Sequence, residues 1–345
     1  MPGMWRAAAA VLRRTPPNFF AAPFGLTGLG AVWRAAGDGA GAAAVIGDVV
    51  AALAAVVWLV LLGGWCSRVA GTPGRLAADL RDPVLGPFVS LIPIVALQLG
   101  VALARHAPSV GRVVVDVCIA VIVVLGGWLT GQWIAGEVDQ DRVGPAYFLP
   151  TLAGGFLASA CAAAVGQRGL AELCFGVGVL CWVTLGPLVL WRLVVRPMLP
   201  PALVPSLAIE VAPPALAGLA WTALHPAPDT VSLGLAGFGI LMIVAQCRLL
   251  PVYRSVPFGP GHWSFTFPYC AAVLFALHWI TVLDVPGRAV LAAVLVGVTT
   301  VFVGAVAAGT VVALRRGRYF PPPAAPPSAA PPVRAQVSPP SARTG

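Results

Sequence analysis

Charges are rare in this sequence, so the few that fall inside apolar runs are the first places to look for chemistry. Glu210 is the clearest: it lies three positions before Pro213, within the apolar stretch 203–224. A carboxylate in hydrocarbon is costly, and it either serves a pathway or finds a partner. Two uses stay open for it. One is a proton-coupling or electrostatic group at the cytoplasmic mouth of a pathway; the other is a structural carboxylate that caps kinked backbone or pairs with an arginine such as Arg196. Phe267, directly before Pro268, reads by itself as a packed aromatic among Phe265, Tyr269 and Phe275. Asp139-Gln140-Asp141 with Glu137 reads as a solvated loop, and Asp48, Asp116 and Asp284 fall near span ends, where they need no chemical role.

Soft-ligand chemistry is not supported. None of the seven cysteines forms a Cys-x-x-Cys pair and nearly all sit in apolar runs, while the four histidines have no ligand spacing. Neither disulfide framework nor metal nor cofactor is expected.

The elements that must position these groups follow from composition. Of 345 residues, 59% are hydrophobic and 10% charged, with a mean hydropathy of +0.91. Soluble domains carry roughly 25% charged residues, so a soluble globular chain is excluded, and so is disorder over most of the length. All 21 basic residues are arginine. Their distribution has to be read against a membrane before a net charge of +9 can suggest nucleic acid.

A bilayer-spanning helix needs about 20 mostly apolar residues. Ten such runs occur, at 18–36, 43–65, 86–104, 113–135, 147–166, 170–192, 203–224, 231–251, 263–282 and 287–314. Short Gly- and Pro-marked turns between them, such as Thr72-Pro73-Gly74 and Arg105-His106-Ala107-Pro108, make consecutive spans antiparallel hairpins. Sixteen arginines fall with the termini and the loops after even-numbered spans, against five in the other loops. That bias places both termini in the cytoplasm of a multi-pass plasma-membrane protein and accounts for the charge without nucleic acid. Residues 1–17 read as a cytoplasmic lead-in, 18–320 as the membrane domain, and 321–345, with nine prolines in 25 residues, as a disordered tail.

Proline placement reveals a repeat. Every odd-numbered span carries one several residues in: Pro23, Pro93, Pro150, Pro213 (followed by Pro214) and Pro268, spaced by 70, 57, 63 and 55 residues. In a membrane a helix-breaking proline needs neighbours or a cavity to satisfy the freed backbone. Five hairpins of one orientation would place five kinked inner helices around an axis and five straighter outer helices against lipid. Small residues near the kinks, including Gly25, Gly28, Gly154, Gly155 and Gly218, permit close approach of the inner backbones.

Six motifs in order on these spans carry a family resemblance. They are Asn18-Phe19-Phe20-Ala21-Ala22-Pro23-Phe24-Gly25-Leu26, Tyr147-Phe148-Leu149-Pro150, Ala212-Pro213-Pro214-Ala215, Arg248-Leu249-Leu250-Pro251, Trp263-Ser264-Phe265-Thr266-Phe267-Pro268 and Gly317-Arg318-Tyr319-Phe320. Over roughly residues 15–320 the chain resembles the tellurite-resistance/dicarboxylate transporter family, which includes the slow-type anion channels of plant guard cells. The resemblance implies an all-α protomer of ten transmembrane helices, as five tandem hairpins around a central pore, assembled as a homotrimer. It also implies that Phe267 matches a phenylalanine that blocks the pore. Two positions depart from the pattern: Ala21 is glycine in some relatives, and Pro268 is glycine in a bacterial one.

The residues of the inner spans fit a conduit of modest selectivity. Phe20, Ser90, Gln98, Thr151, Ser264 and Thr266 are the pore-lining candidates, and no arginine lies deep in spans 3, 5, 7 or 9. Conduction needs binding weak enough to release the ion. The expected function is a channel or channel-like transporter for small inorganic or organic anions, not an enzyme. A membrane enzyme acting on lipid-linked substrates would usually carry a large extracytoplasmic loop and an acidic pair there, and neither is found. The alternative is a proton-coupled transporter of a C4-dicarboxylate, sulfite or tellurite-related oxyanion, with Glu210 as its coupling carboxylate.

Overall fold

Proline decides where each inner helix begins. The computed structural model describes residues 15–37, 41–136 and 140–320. Most of the lead-in segment, the tail, Glu137 and Asp139 lie outside them. The α-helices are α1 (Ala21–Ala36), α2 (Gly41–Ala70), α3 (Arg75–Arg81), α4 (Gly86–Val89), α5 (Leu91–Ala104), α6 (Pro108–Ile134), α7 (Gly154–Ala164), α8 (Arg168–Val195), α9 (Ala212–Leu224), α10 (Thr230–Arg254), α11 (Thr266–Val282) and α12 (Arg288–Arg315). Among the described residues there is no strand.

Pro23, Pro93 and Pro268 are each the third residue of an α-segment, and Pro213 is the second. Pro150 is the second residue of a π-helical turn, Leu149–Ala153, that leads into α7. At these positions the missing N–H costs nothing, because the first-turn donors of an α-helix have no intrahelical acceptor. Upstream, the chain arrives in 3₁₀ turns, Pro17–Phe20, Pro145–Phe148, Val204–Val211 and Pro260–Phe265, or through α4 and a turn at Ser90 before α5. The kinks expected from the sequence are therefore junctions between tighter and regular helix rather than bends in continuous α-helix.

The five inner helices close a ring: α1 packs on α5, α5 on α7, α7 on α9, α9 on α11, and α11 back on α1. The last seam depends on missing side chains. A Cβ at Gly25 would overlap the side chain of Thr266, and one at Gly28 would meet Cys270 Cβ at 2.9 Å. Gly218 similarly accepts the ring of Phe275 between α9 and α11.

Each inner helix also packs on the outer helix that follows it, which completes five hairpins. The two layers meet different solvents. Within 18-residue apolar windows of 145–164 and 204–224, 83% and 78% of residues are buried, against 11% and 6% in the corresponding windows of α2 and α10. A helix this apolar and this exposed has lipid as its surroundings. Nine helical stretches among the described residues are long and apolar enough to cross a membrane. The first inner helix, Pro17–Ala36, is not one of the nine, so the ten spans expected from the sequence stand at nine by this measure, with α1 occupying the first inner position. The chain is an all-helical, multi-pass membrane protein.

Outer helices also donate side-chain hydrogen bonds to backbone carbonyls of the inner ones. Trp58 of α2 donates its indole N–H to the Ile92 carbonyl at 3.0 Å, one residue before Pro93. Gln246 of α10 donates its amide to the Leu207 carbonyl at 3.2 Å, within the 3₁₀ turn before Pro213. At the turn between α9 and α10, the Asp229 carboxylate caps α10 by accepting from the Ser232 N–H at 2.8 Å and also accepts the Trp221 indole N–H at 2.8 Å. The Ser232 backbone bond holds that carboxyl below the usual carboxylate range.

The best-buried charge lies where α2 ends. Asp79 of α3 is 1% exposed; its carboxylate pairs with Arg68, and with Arg75 at 3.1 Å, and accepts the Trp65 indole N–H at 3.2 Å. Removing one member of a buried network leaves the others desolvated and unpaired, a cost of about 3–5 kcal/mol. Asp79→Ala is expected to lower the thermal midpoint of the detergent-purified protein by several degrees, while Arg81→Ala leaves it nearly unchanged. An unshifted midpoint in Asp79→Ala would show that α3 contributes nothing to the fold.

Candidate functional site, an aromatic neck between two axial cavities

Along the ring axis the empty space is unequal on the two sides of one side chain. Toward the C-terminal ends of the inner helices lies a cavity of about 260 Å³, lined by residues of all five inner helices, Gln98 and Leu216 among them. Toward their N-terminal ends lies a space of about 20 Å³, bordered by Phe24, Ser264 and Pro268. A water molecule needs ~10–15 Å³ by this kind of measure, so the smaller space holds about one. Phe267 and Leu216 border both. They form the neck.

The Phe267 ring is 4% exposed and stacks on Phe24 of α1, with centroids 3.6 Å apart and planes 13° from parallel. Its aromatic partner thus comes from the opposite side of the closing seam. Of the neighbours that the sequence suggested, Phe265 faces Tyr253 and His262, Tyr269 faces Phe302, and Phe275 faces His278 and Trp279. Gly28, one turn above Phe24, leaves room for the ring: a Cβ there would lie 3.0 Å from Phe267 Cδ2. Phe24 and Leu216 carry no signal in the sequence that separates them from other apolar residues.

The remaining candidates divide. Gln98 lines the larger cavity, where its side-chain oxygen accepts the Thr27 hydroxyl, and Ser264 borders the smaller space. Phe20, Ser90, Thr151 and Thr266 border neither. Phe20 is fully buried in the core, and Ser90 donates to the Pro87 carbonyl at 2.6 Å. Thr151 sits beside Gly126 of α6, and Thr266 donates to the Trp263 carbonyl at 2.8 Å while pressed against Gly25.

Glu210 also borders neither cavity. It lies in the 3₁₀ turn before α9, and its Oε1 is buried with no hydrogen-bond partner among the described residues. Arg196, the partner considered for it from the sequence, instead donates to the Gln140 side chain at 2.9 Å and lies 3.6 Å from Asp141.

Two groups on the larger cavity were not singled out from the sequence, where they count only as minority-loop arginines. Arg34, in the last turn of α1, and Arg105, just past the end of α5, both line it. Both donate to one carboxylate oxygen of Asp48 on α2, at 2.6 and 3.1 Å. Burial pulls the Arg105 guanidinium below its ordinary value and the Arg34 charge adds to this, while the Asp48 hydrogen bond opposes it. An arginine remains cationic through such a shift. A tapered hydrophobic passage with an aromatic neck and a basic wide end suits an anion better than a cation.

Comparison with known proteins points the same way. The sequence pattern of a family described as voltage-dependent anion channel, SLAC1, matches residues 14–311. The tellurite resistance protein TehA homolog of Haemophilus influenzae is 25% identical over 307 residues, which cover 88% of this chain and 92% of that one. The S-type anion channels SLAH2 and SLAH3 of Arabidopsis thaliana are 28% and 24% identical over 232 and 183 residues. Those matches cover 65% and 53% of this chain but 43% and 29% of the plant proteins, which are much longer. With six-sevenths of its length inside the family pattern, this chain belongs to the SLAC1 family of voltage-dependent anion channels, the tellurite-resistance/dicarboxylate transporter family.

Proposed function

We propose that the protein is an anion channel of the plasma membrane, with the ring axis as its pore and Phe267 as its gate. The observation that carries this reading is the change from about 260 Å³ to about 20 Å³ across a single stacked phenylalanine. A ring across a narrow neck excludes water, and an ion stripped of water with no compensating charge meets a large barrier. Side-chain rotation relieves it. Leaving Phe24 costs the stacking contact, about 0.5–1.5 kcal/mol, which thermal motion or a modest input can supply.

The pathway holds few charges, so it repays little dehydration and favours weakly hydrated anions such as nitrate and chloride. The bland end of the selectivity range suits a conduit that passes ions quickly rather than one that retains them. Topology follows the arginine bias: both termini cytoplasmic, the small space facing the cytoplasm and the larger cavity facing outward. A homotrimer would bury part of the exposed outer surface. Gly127 and Gly131 on α6, which face open space around Trp128, offer a close-packing stripe for it.

The coupled-transporter reading needs a titratable group on the route. Glu210 is buried, but it is off the axis, which supports the uncoupled channel.

Two outcomes are expected. In planar bilayers with symmetrical nitrate, Phe267→Ala should carry at least tenfold more current than the native protein, and Phe24→Ala a smaller increase in the same sense. Equal, small currents from native and well-folded Phe267→Ala protein would remove Phe267 from the pore. In the conducting variant, nitrate should cross faster than fluoride under equal gradients; the reverse order would mean that the route compensates dehydration through charges placed on it.

A further inference from the structure

Four of the five outer helices lean on a second inner helix besides their own hairpin partner: α2 packs on α5, α6 on α7, α8 on α9 and α12 on α1. α10 departs from this pattern. It makes no comparable contact with α11, and a cleft of about 520 Å³ opens between the two. They are joined near the C-terminal end of α10, where the Gln246 side-chain oxygen accepts the hydroxyl of Tyr253 at 2.5 Å and that of Tyr269, on α11, at 3.4 Å. From there toward the N-terminal end of α10 they stand apart.

One face of each helix lines the gap. Leu233, Ala236, Ile240 and Ile243 carry it on α10; Ala272, Phe275, Ala276 and Trp279 carry it on α11. Steps of three and four residues mark a single helix face, and apolar faces of this kind normally bury each other. The one polar side-chain group on the lining residues is the Trp279 indole N–H. Trp279 is 9% exposed, and its N–H has no acceptor among the described residues. Five other indoles, those of Trp58, Trp221 and Trp263 among them, do find acceptors within the chain. A buried donor left unpaired costs about 1–3 kcal/mol.

Width and depth select the occupant. Leu233 to Val244 covers about 16 Å of helix, so the cleft averages roughly 30 Å² in section, against ~80–110 Å² for a helix 10–12 Å across. It admits a hydrocarbon chain and is too narrow for another helix. Trp279 lies in the last turn of α11, where the span reaches the membrane interface, the level of aromatic belts and of lipid ester groups.

We propose that this cleft binds one acyl chain of a glycerophospholipid from the leaflet that meets the C-terminal ends of the inner helices. The Trp279 ring turns its N–H to the ester carbonyl, and the chain runs down between the two apolar faces toward Gln246. A bound chain supplies at this seam the contact that the other four make directly. Phe275 then serves two packings, since its ring also fills the space left by Gly218 on α9. The site is separate from the axial cavities and does not rest on the channel reading. A second copy of the chain is the competing occupant, but the stripe suited to that contact is on α6, and the narrow section does not fit a helix.

The test is photolabelling of the full-length protein in phosphatidylcholine vesicles that contain a tracer phosphatidylcholine with a diazirine partway along one acyl chain. Labelled residues are mapped by peptide mass spectrometry. The cleft faces of α10 and α11 should be labelled at least fivefold more densely than the exposed face of α2. Ala236→Phe with Ala276→Phe fills the cleft and should remove that excess while α2 stays labelled. Trp279→Phe keeps the ring without the N–H and should reduce the excess severalfold. Even labelling of all outer helices would overturn the proposal, leaving ordinary contact with bulk lipid. A cleft free of label beside a labelled α2 would also overturn it, as a contact between copies. If the double variant does not fold, the native pattern and Trp279→Phe decide: an excess that this change leaves untouched discards the site as proposed.

Discussion

Everything in this molecule depends on backbone hydrogen bonding where water is absent. A helix crossing hydrocarbon must satisfy its own polar groups, and proline breaks that rule in every inner helix. The solution is positional. Each proline sits in the second or third place after a junction, where an α-segment would have an unpaired donor in any case. Side chains of the outer layer add hydrogen bonds to inner backbone near two of these junctions, Trp58 at the Ile92 carbonyl and Gln246 at the Leu207 carbonyl. The outer ring is thus more than a lipid-facing coat: it is tied to the inner one by polar as well as apolar contacts.

In each inner helix the chain changes geometry at the junction just before its proline. Closing a ring of five also requires one seam between the first and last hairpins, and there the chain places Gly25 and Gly28 opposite Thr266, Phe267 and Cys270. The same seam stacks Phe24 on Phe267. The glycine-dependent packing of α1 on α11 and the Phe24–Phe267 stack therefore lie in one seam. The motif containing Asn18 and Phe19 also meets the last one here, for Phe19 packs against Tyr319 and Phe320 with ring centroids 5.0 and 5.4 Å apart. Motifs at opposite ends of the chain, weak as separate signals, are two halves of one contact.

The spans were legible because crossing hydrocarbon demands a length and an apolar composition that little else in a chain imitates. The third, expected at 86–104, is Gly86–Ala104 in the structure, and the seventh, expected at 203–224, is Val204–Leu224. Prolines were legible as a set because their chemistry confines them to one kind of place. Facing was not. An inner helix buries nearly every side, so it has no polar stripe to mark which residues see the axis. Ser90 and Thr266 look like pore residues by type but spend their hydroxyls on carbonyls within their own turns, as small hydroxyl residues commonly do, whereas Gln98 is long enough to meet a partner on the neighbouring inner helix. Phe24 could not be told from Phe20, although one ring lies at the neck and the other is in the core.

The arginines show a different limit. Arg34 and Arg105 are 71 residues apart and enter a topology argument only as two of five cations on the sparser side. Their meaning comes from convergence, because the ring brings the ends of α1 and α5 to one rim and sets Asp48 of α2 behind both. From that rim to Phe267 and Leu216 the lining is apolar apart from Thr27 and Gln98. Residues far apart in the sequence share these surroundings only because the ring closes, so no local motif announces them.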